Sequence, residues 1–309
     1  MKENAKVSAR RTPVTIQVLE SYPNEWYCLL DSGDGRKLEK AGPYILIRPE
    51  AEAIWPPALP EKEWAAAHAE FVVTQEKNGG HWETYKKMPD QWMVSYRGLQ
   101  IRLEIGNTKQ IGIFPEQSVH WEWMENRIKH EKRKLKVLNL FGYTGVASLA
   151  AAKAGATVTH LDASKKSVGW GMDNQQLSRL ENQPIRWIVD DAIKFVEREA
   201  RRKSYYDGIL LDPPKFGRGP KGEVWEFYKL IPNLLQACRA ILTPEPDFVI
   251  LTAYAVKASS ITLKNAMDDL MKKYTGSSTA GELTLVEKSA DRRLPTSIFV
   301  RWQADQVGE

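Results

Sequence analysis

The chain has 309 residues, of which 42% are hydrophobic and 27% are charged, the balance of a globular protein of about two domains rather than of a disordered chain. Its two cysteines and five histidines lack the number and spacing of a disulfide framework or a zinc site, so we expect no metal. No stretch approaches the roughly 20 apolar residues of a membrane helix, and the polar N-terminus disfavours a secretory signal, which indicates a cytoplasmic protein. The net charge of +5 permits a nucleic-acid partner without requiring one.

Residues 1–111 are predicted to form a β-rich region whose architecture the sequence does not define. Short apolar runs separated by glycine and proline signals are typical of strands. The predicted strands are Val14–Leu19, Trp26–Leu30, Tyr44–Arg48, Phe71–Thr74, Trp92–Tyr96 and Leu99–Ile105.

Residues 112–309 show a different pattern, in which apolar runs alternate with helical stretches. The predicted strands are Val137–Phe141, Thr157–Leu161, Ile185–Val189, Tyr206–Leu211, Phe248–Leu251, Glu282–Glu287 and Ser297–Arg301. Helices are predicted between them, including one from about Glu223 to Leu242. This alternation predicts an α/β domain with right-handed crossovers and a mostly parallel, doubly wound sheet. Ligands of such sheets bind beyond the carboxyl ends of the strands.

The residues directly after three successive strands suit an adenosine with a charged tail. The first strand leads into the loop Phe141, Gly142, Tyr143, Thr144 and Gly145, whose glycines permit a close approach to a ligand at a helix N-terminus. Asp162 follows the second strand, where a carboxylate can accept both ribose hydroxyls. Asp190, Asp191 and Ala192 follow the third, where a carboxylate can accept from an adenine amine. Helix capping is the alternative role for each acid, and an ordinary turn is the alternative for the loop.

The fourth strand ends in Asp212, Pro213, Pro214, Lys215 and Phe216. Two successive prolines make the exit from the strand extended and rigid, which would hold the neighbouring groups beside a cofactor. Phe216 would then stack on a flat substrate such as a nucleobase; the alternative is a structural turn with a buried Phe. Lys215 would pair with a phosphate, or else remain a solvated charge. The segment Gly217 to Gly222 is interpreted as a mobile basic lid.

Together these motifs resemble class I S-adenosylmethionine (SAM)-dependent methyltransferases. The likeness is nearest to the bacterial large-subunit ribosomal RNA methyltransferase I/K group, within it to an uncharacterised subgroup, and covers about Gly112 to Trp302. It implies a seven-stranded Rossmann-like methyltransferase sheet, a SAM-binding domain from residue 112 to 309, and an RNA partner. The segment Gly112 to Gln117 resembles the stretch that precedes the cofactor loop in that group.

The resemblance also implies roles for individual residues. The glycine loop would hold the methionine part of SAM, Asp162 and Ser164 the ribose, and Asp191 and Ala192 the adenine, while Asp212 and Pro213 would face the reactive methyl. The remaining cofactor candidates are Phe114, Gln117, Asn139 and Asp190. The candidates for the catalytic side are Asp212, Pro213, Lys215, Phe216 and Tyr254.

One departure from the group bears on the reaction. Relatives that methylate cytosine at carbon 5 carry a cysteine where this chain has Tyr254, and that chemistry needs a thiolate nucleophile. Cys28 and Cys238 are expected to be buried. We therefore expect methylation of an RNA nitrogen or oxygen, which positioning alone can promote. Tyr254 would stack or hydrogen-bond beside the substrate, or else only pack.

Three other functions remain open on the sequence. A methyltransferase of proteins or small molecules would keep the cofactor and change the acceptor. A catalytically silent RNA-binding protein would keep only the fold. A nicotinamide oxidoreductase is disfavoured because the G-x-G-x-x-G fingerprint is absent from the loop.

Overall fold

The structure of the chain is a computed structural model that describes residues 13–74 and 79–305. Its N-terminal part is rich in strands, as predicted. The elements in chain order are β1 (Ile16–Ser21), β2 (Tyr27–Gly33), β3 (Arg36–Ala41), β4 (Tyr44–Pro49), α1 (Glu61–Trp64), β5 (Ala69–Val73), β6 (Gly80–Thr84), β7 (Gln91–Tyr96) and β8 (Leu99–Glu104). Strands β2 to β6 form a five-stranded sheet, and β7 pairs with β8 as a hairpin.

The second part alternates strands and helices, which confirms the predicted fold class, although the large sheet has eight strands rather than the expected seven because β1 of the N-terminal part joins it. A 3₁₀ helix at Pro115–Gln117 opens it. The elements that follow are α2 (Ser118–His130), β9 (Lys136–Leu140), α3 (Val146–Lys153), β10 (Thr157–Asp162), α4 (Lys165–Leu177), β11 (Ile185–Val189), α5 (Ala192–Arg201), β12 (Gly208–Leu211), β13 (Phe216–Arg218), β14 (Val224–Glu226), α6 (Phe227–Arg239), β15 (Phe248–Ala253), α7 (Ser260–Met271), β16 (Gly276–Val286) and β17 (Arg293–Ala304).

The large sheet has eight strands in the order β1-β16-β17-β15-β12-β9-β10-β11. Strand β17 is antiparallel to both β15 and β16, while β9, β10, β11, β12 and β15 run parallel. From β9 the chain proceeds through β10 to β11 on one side, and then returns to place β12 on the other side. The strand order therefore reverses between β9 and β12, and a ligand crevice opens at the carboxyl ends of strands beside such a reversal.

Burial explains why the central strands form where they do. Every residue of β12 and of β15 is buried, because helices cover both faces of a parallel sheet. Side-chain caps mark the starts of three helices: the side chains of Ser164, Asp191 and Ser259 accept from backbone N–H groups in the first turns of α4, α5 and α7, which satisfies donors that the helix leaves free.

Strand β1 lies outside the five-stranded sheet. It pairs in parallel with β16, with Ile16 opposite Ala280, and so forms an edge of the large sheet. The main hydrophobic cluster likewise contains residues of both parts, such as Tyr96 and Leu99 with Trp121 and Leu149. The boundary between residues 111 and 112 stays a prediction.

The helix predicted from about Glu223 is wrong at its start. Val224–Glu226 pairs antiparallel with Phe216–Arg218, and α6 begins only at Phe227. Of the segment interpreted as a mobile basic lid, Gly217 and Arg218 belong to β13, and Gly219 to Gly222 lie in the turn of this short β-hairpin. Its mobility stays a prediction. Within the described ranges, no helix combines the length and apolar character that are needed to cross a membrane.

Candidate active site

A cavity of about 390 Å³ lies at the carboxyl ends of β10, β11 and β12, beside the loop that follows β9. Its size is typical of a small-molecule site. Most of the predicted cofactor residues line it, namely Phe114, Gln117, Phe141, Tyr143, Asp162, Ser164, Asp190, Asp191, Ala192, Asp212 and Pro213. A smaller cavity shares part of this wall and adds Asn139, Gly142 and Thr144.

The loop after β9 has an unusual backbone. Phe141 and Tyr143 adopt positive φ angles of 58° and 51°, as does Gly145 at 82°. Left-handed conformations of non-glycine residues are uncommon and cluster at functional sites. A Cβ on Gly142 would come within 2.4 Å of the buried His160 ring, so only glycine fits there without displacement. Gly145 lies outside both cavity linings and forms the start of α3.

Asp162 links the loop to the second strand. Its Oδ2 accepts from the Tyr143 backbone N–H at 2.9 Å, and its Oδ1 accepts from the Ser164 N–H at 2.8 Å. Burial raises the pKa of this carboxyl, although both backbone donors oppose the shift. Ser164, not Asp162, caps α4, because its Oγ accepts from the Ser167 N–H. The capping alternative for Asp162 is therefore wrong, and its carboxylate is fixed by the loop.

The third strand end carries two acids with different partners. Asp191 caps α5 through a bond from the Lys194 N–H at 3.0 Å, so the capping function considered for it is present. Asp190 forms an ion pair with Arg198 and accepts from the Asp191 N–H. Both line the main cavity, which leaves them within reach of a ligand in addition to these bonds.

Asp212 is held by Gln117. The Gln117 Nε2 donates to Asp212 Oδ2 at 3.2 Å, and its Oε1 accepts from the Thr252 hydroxyl at 3.4 Å. Burial, and to a lesser extent the charge of Glu116, raise the pKa of Asp212 to about 7. A carboxyl group at this position exchanges its proton near neutral pH, which suits it to hydrogen-bond a reacting group.

Beyond the two prolines, the β13–β14 hairpin forms one wall of the cavity. Trp225 donates from Nε1 to the Pro214 carbonyl at 2.6 Å, and its ring lies 5.0 Å from that of Phe141. Phe216 is 64% exposed, so the alternative of a buried Phe is wrong. The Lys215 ammonium lies 5.7 Å from the Phe216 ring centre. Lys215 and Phe216 themselves lie outside both cavity linings, but their chain neighbours Pro214 and Gly217 line the main cavity.

Tyr254 lines the main cavity, where burial raises the pKa of its phenol to about 12. The lining residues that were not predicted as site residues include Gln110, Glu116 and Trp225. Glu116 precedes Gln117 in the segment Gly112 to Gln117, which resembles the stretch before the cofactor loop in the related methyltransferases. That resemblance could have indicated Glu116 as a site residue. No local sequence pattern predicts that Gln110 lines the cavity. Its position depends on the loop of residues 105–111, across which the Glu104 N–H donates to the Ile111 carbonyl.

The geometry fits SAM. The cradle at Gly142 has no room for a side chain, the acids lie at the ends of β10 and β11, and the N-terminus of α3 follows the loop.

A family model described as S-adenosylmethionine-dependent methyltransferase matches residues 58–267, more than half of the chain. The chain therefore belongs to the SAM-dependent methyltransferase family: it is an enzyme, and its cofactor is SAM. The resemblance inferred from the strand-end motifs is confirmed.

Among solved structures, a SAM-dependent methyltransferase from Agrobacterium tumefaciens is 44% identical, with a TM-score of 0.90 over 96% of this chain and 98% of that one. The tRNA m1G37 methyltransferase of M. jannaschii is 12% identical, with a TM-score of 0.51 over 91% of this chain and 74% of that one, and shows a common fold alone.

Among curated proteins, the ribosomal RNA large subunit methyltransferase K/L of Pseudoalteromonas translucida is 31% identical over 48% of this chain and 21% of that protein. The chain spans only 21% to 27% of the length of such curated relatives.

Proposed function

We propose that this methyltransferase acts on RNA, with ribosomal RNA as the substrate class and a nitrogen or oxygen as the methyl acceptor. The observation that carries the proposal is the exposed ring of Phe216, with the Lys215 ammonium beside it, next to the cavity. An exposed aromatic ring can stack on a base, and a cation beside it can pair with a phosphate. The curated relatives named as ribosomal RNA methyltransferases support the same substrate class.

In this proposal the cofactor lies along the carboxyl ends of β9, β10 and β11. The loop from Phe141 to Gly145 would hold its methionine end, with Asn139, Phe114 and Gln117 alongside. The carboxylate of Asp162 would accept from the ribose hydroxyls, with Ser164 beside it. Asp190, Asp191 and the Ala192 N–H would contact the adenine.

SAM supplies an electrophilic methyl group on a sulfonium centre. Asp212 and Pro213 would flank the acceptor, with the Asp212 carboxyl hydrogen-bonded to it and oriented by Gln117. Tyr254 would contact the other side of the acceptor. Holding the acceptor in line is the main contribution of these residues, because a nitrogen or oxygen nucleophile needs no covalent bond to the enzyme.

The two cysteines support this acceptor class. Cys28 and Cys238 are free and buried, and neither lines the cavities at the strand ends. Burial raises the pKa of Cys28 and raises that of Cys238 to about 12, which keeps both as thiols. Methylation of a pyrimidine at carbon 5 needs a thiolate beside the ring.

The proposal retains two regions, residues 1–111 and 112–309. It also retains a cytoplasmic location, where the protein would meet ribosomal RNA.

The RNA methyltransferase proposal is tested by incubating the purified protein with methyl-labelled SAM and total RNA from a strain deleted for the gene. We expect label in RNA and, on nucleoside analysis, an N- or O-methylated nucleoside. Label at 5-methylcytosine would contradict the acceptor class. Unlabelled RNA, with SAM binding intact, would favour a protein or small-molecule acceptor instead.

A further inference from the structure

A loop from the N-terminal part of the chain reaches the main cavity. Gln110 lines the main cavity, and Lys109 and Gln110 line a small pocket that shares Glu116 and Tyr254 with it. The Lys109 Nζ lies 3.4 Å from the Tyr254 hydroxyl and 5.8 Å from the centre of its ring. This places groups from both parts of the chain around one space.

The loop is held by a buried ion pair. Arg48 donates from Nη1 to the Lys109 carbonyl at 3.0 Å and to Gln110 Oε1 at 3.3 Å. Its Nη2 donates to Glu39 Oε2 at 2.9 Å, and the Tyr27 hydroxyl donates to the same oxygen at 2.6 Å. Glu39 is fully buried and Arg48 is 4% exposed. Groups fixed in this way are organised before a ligand arrives.

The hydrogen bonds already made determine what these residues have left to offer. Because Arg48 occupies the Gln110 carbonyl oxygen, the Gln110 amide nitrogen remains as a donor. Because Tyr254 accepts from Lys109, its own O–H remains to donate. No carboxylate of the described residues lies within 4 Å of the Lys109 ammonium, and burial lowers its pKa. Three donor groups, those of Lys109, Gln110 and Tyr254, therefore remain available to a ligand at the pocket that these residues share.

We propose that Lys109, Gln110 and Tyr254 form the acceptor-side wall of the active site and donate hydrogen bonds to a carbonyl oxygen of the base to be methylated. Arg48 is the positioning residue that holds this wall. The inference rests on the proposed RNA function. A carbonyl is favoured over a phosphate because Glu116 and Asp212 line the same cavity. Burial there raises the pKa of both carboxyl groups, and a site that disfavours its own anions disfavours an anionic phosphate as well.

The experiment measures methyl transfer to total RNA from the deletion strain, with kcat and KM for RNA obtained separately. We expect Lys109→Met to raise KM for RNA by about ten- to a hundredfold, because the variant loses a hydrogen bond from a charged donor. Its affinity for S-adenosylhomocysteine (SAH) should equal that of the wild type. Lys272→Met, at an exposed lysine paired with Asp269, is the matched control and should leave all three quantities unchanged.

The role of Arg48 is tested by a double-mutant cycle. Arg48→Lys keeps the charge but cannot reach Glu39 and the loop together, so it should raise KM as well. If Arg48 acts through the loop, Arg48→Lys combined with Lys109→Met should raise KM by less than the product of the single effects. A fully multiplicative result would overturn the positioning role.

The remaining outcomes distinguish a failure of the proposed acceptor-side wall from a failure of the proposed RNA methyltransferase function. Label in RNA with the wild type, but an unchanged KM for Lys109→Met, overturns the acceptor wall alone. No label with the wild type overturns the RNA proposal and this inference with it. If the logarithmic salt dependence of KM becomes shallower by about one unit in Lys109→Met, the contact is a phosphate and the carbonyl assignment is wrong.

Discussion

The backbone N–H of Tyr143 donates to Asp162 Oδ2 at 2.9 Å, which ties the loop after β9 to the end of β10. The bond fixes the carboxylate and the left-handed Tyr143 backbone together. The two strand ends therefore form one preorganised surface. A change at Asp162 should alter the loop as well as the proposed contact with the ribose.

We expect Asp162→Ala to weaken SAH binding by at least about tenfold, because it removes the acceptor of the Tyr143 N–H and the carboxylate that we propose accepts from the ribose hydroxyls. Isothermal titration with SAH measures this directly. Asp173→Ala is the matched control, since Asp173 is half exposed on α4 and pairs with Arg102. Equal affinities for the two variants would contradict the role of Asp162.

The titration of Asp212 makes a separate prediction about stability. The carboxyl has an ordinary pKa of 3.8 in the unfolded chain and about 7 in the folded protein. The folded state therefore binds the proton more tightly, and this group lowers stability progressively as the pH rises from about 4 to about 7. Asn cannot ionise, and its amide oxygen can still accept from Gln117.

Asp212→Asn should thus have a Tm close to that of the wild type near pH 4 and several degrees above it near pH 8. Thermal melts at both pH values, followed by circular dichroism, measure the difference. Methyl transfer should fall in the same variant, as is common where a site is organised at the expense of stability. A Tm difference that is independent of pH would show that Asp212 is already ionised in the folded protein.

Local signals explain which parts the sequence could predict. The apolar run of β9 and the acids after β10 and β11 carry their information within a few residues, and the cofactor side was predicted on that basis. Strands β13 and β14 have only three residues each. Their pairing depends on the register that sets Phe216 opposite Glu226, which no local pattern records.

The proposed acceptor-side wall could not be predicted from local sequence either, because its residues are far apart in the chain. Lys109 and Tyr254 stand 145 positions apart in the chain, and their contact depends on the N-terminal sheet packing against the large one. Likewise, β3 is a polar strand of sequence RKLEKA. It forms because it pairs between β2 and β4, rather than through its own composition.

The glycine loop gives a steric prediction. Gly142→Ala would place a Cβ 2.4 Å from His160 Cε1 and 2.9 Å from Asn139 Nδ2. Both neighbours are buried and share the Ser148 hydroxyl, so neither can move freely. Overpacking of this kind costs about 1–3 kcal/mol, and we expect a lower Tm together with weaker SAH binding.

Gly169→Ala provides the comparison, because Gly169 lies in α4 with open space where its Cβ would be. Alanine is favoured over glycine within a helix by about 1 kcal/mol, so this variant should be as stable as the wild type or more so. If both glycine variants behaved alike, the close contact with His160 would not be what restricts the loop.

The last prediction separates RNA binding from cofactor binding. Phe216→Ala should leave the affinity for SAH unchanged, because the ring projects into solvent rather than into the cavity lining. Its affinity for RNA should fall by a factor that corresponds to about 1–3 kcal/mol, the contribution of one base stacked on an aromatic ring. Filter binding with labelled RNA and titration with SAH measure the two affinities.

Tyr205→Ala serves as the control, since Tyr205 is 43% exposed and precedes β12, at the opposite end of the strand from the cavity. Equal loss of RNA affinity in both variants would mean that Phe216 contributes only general surface contact.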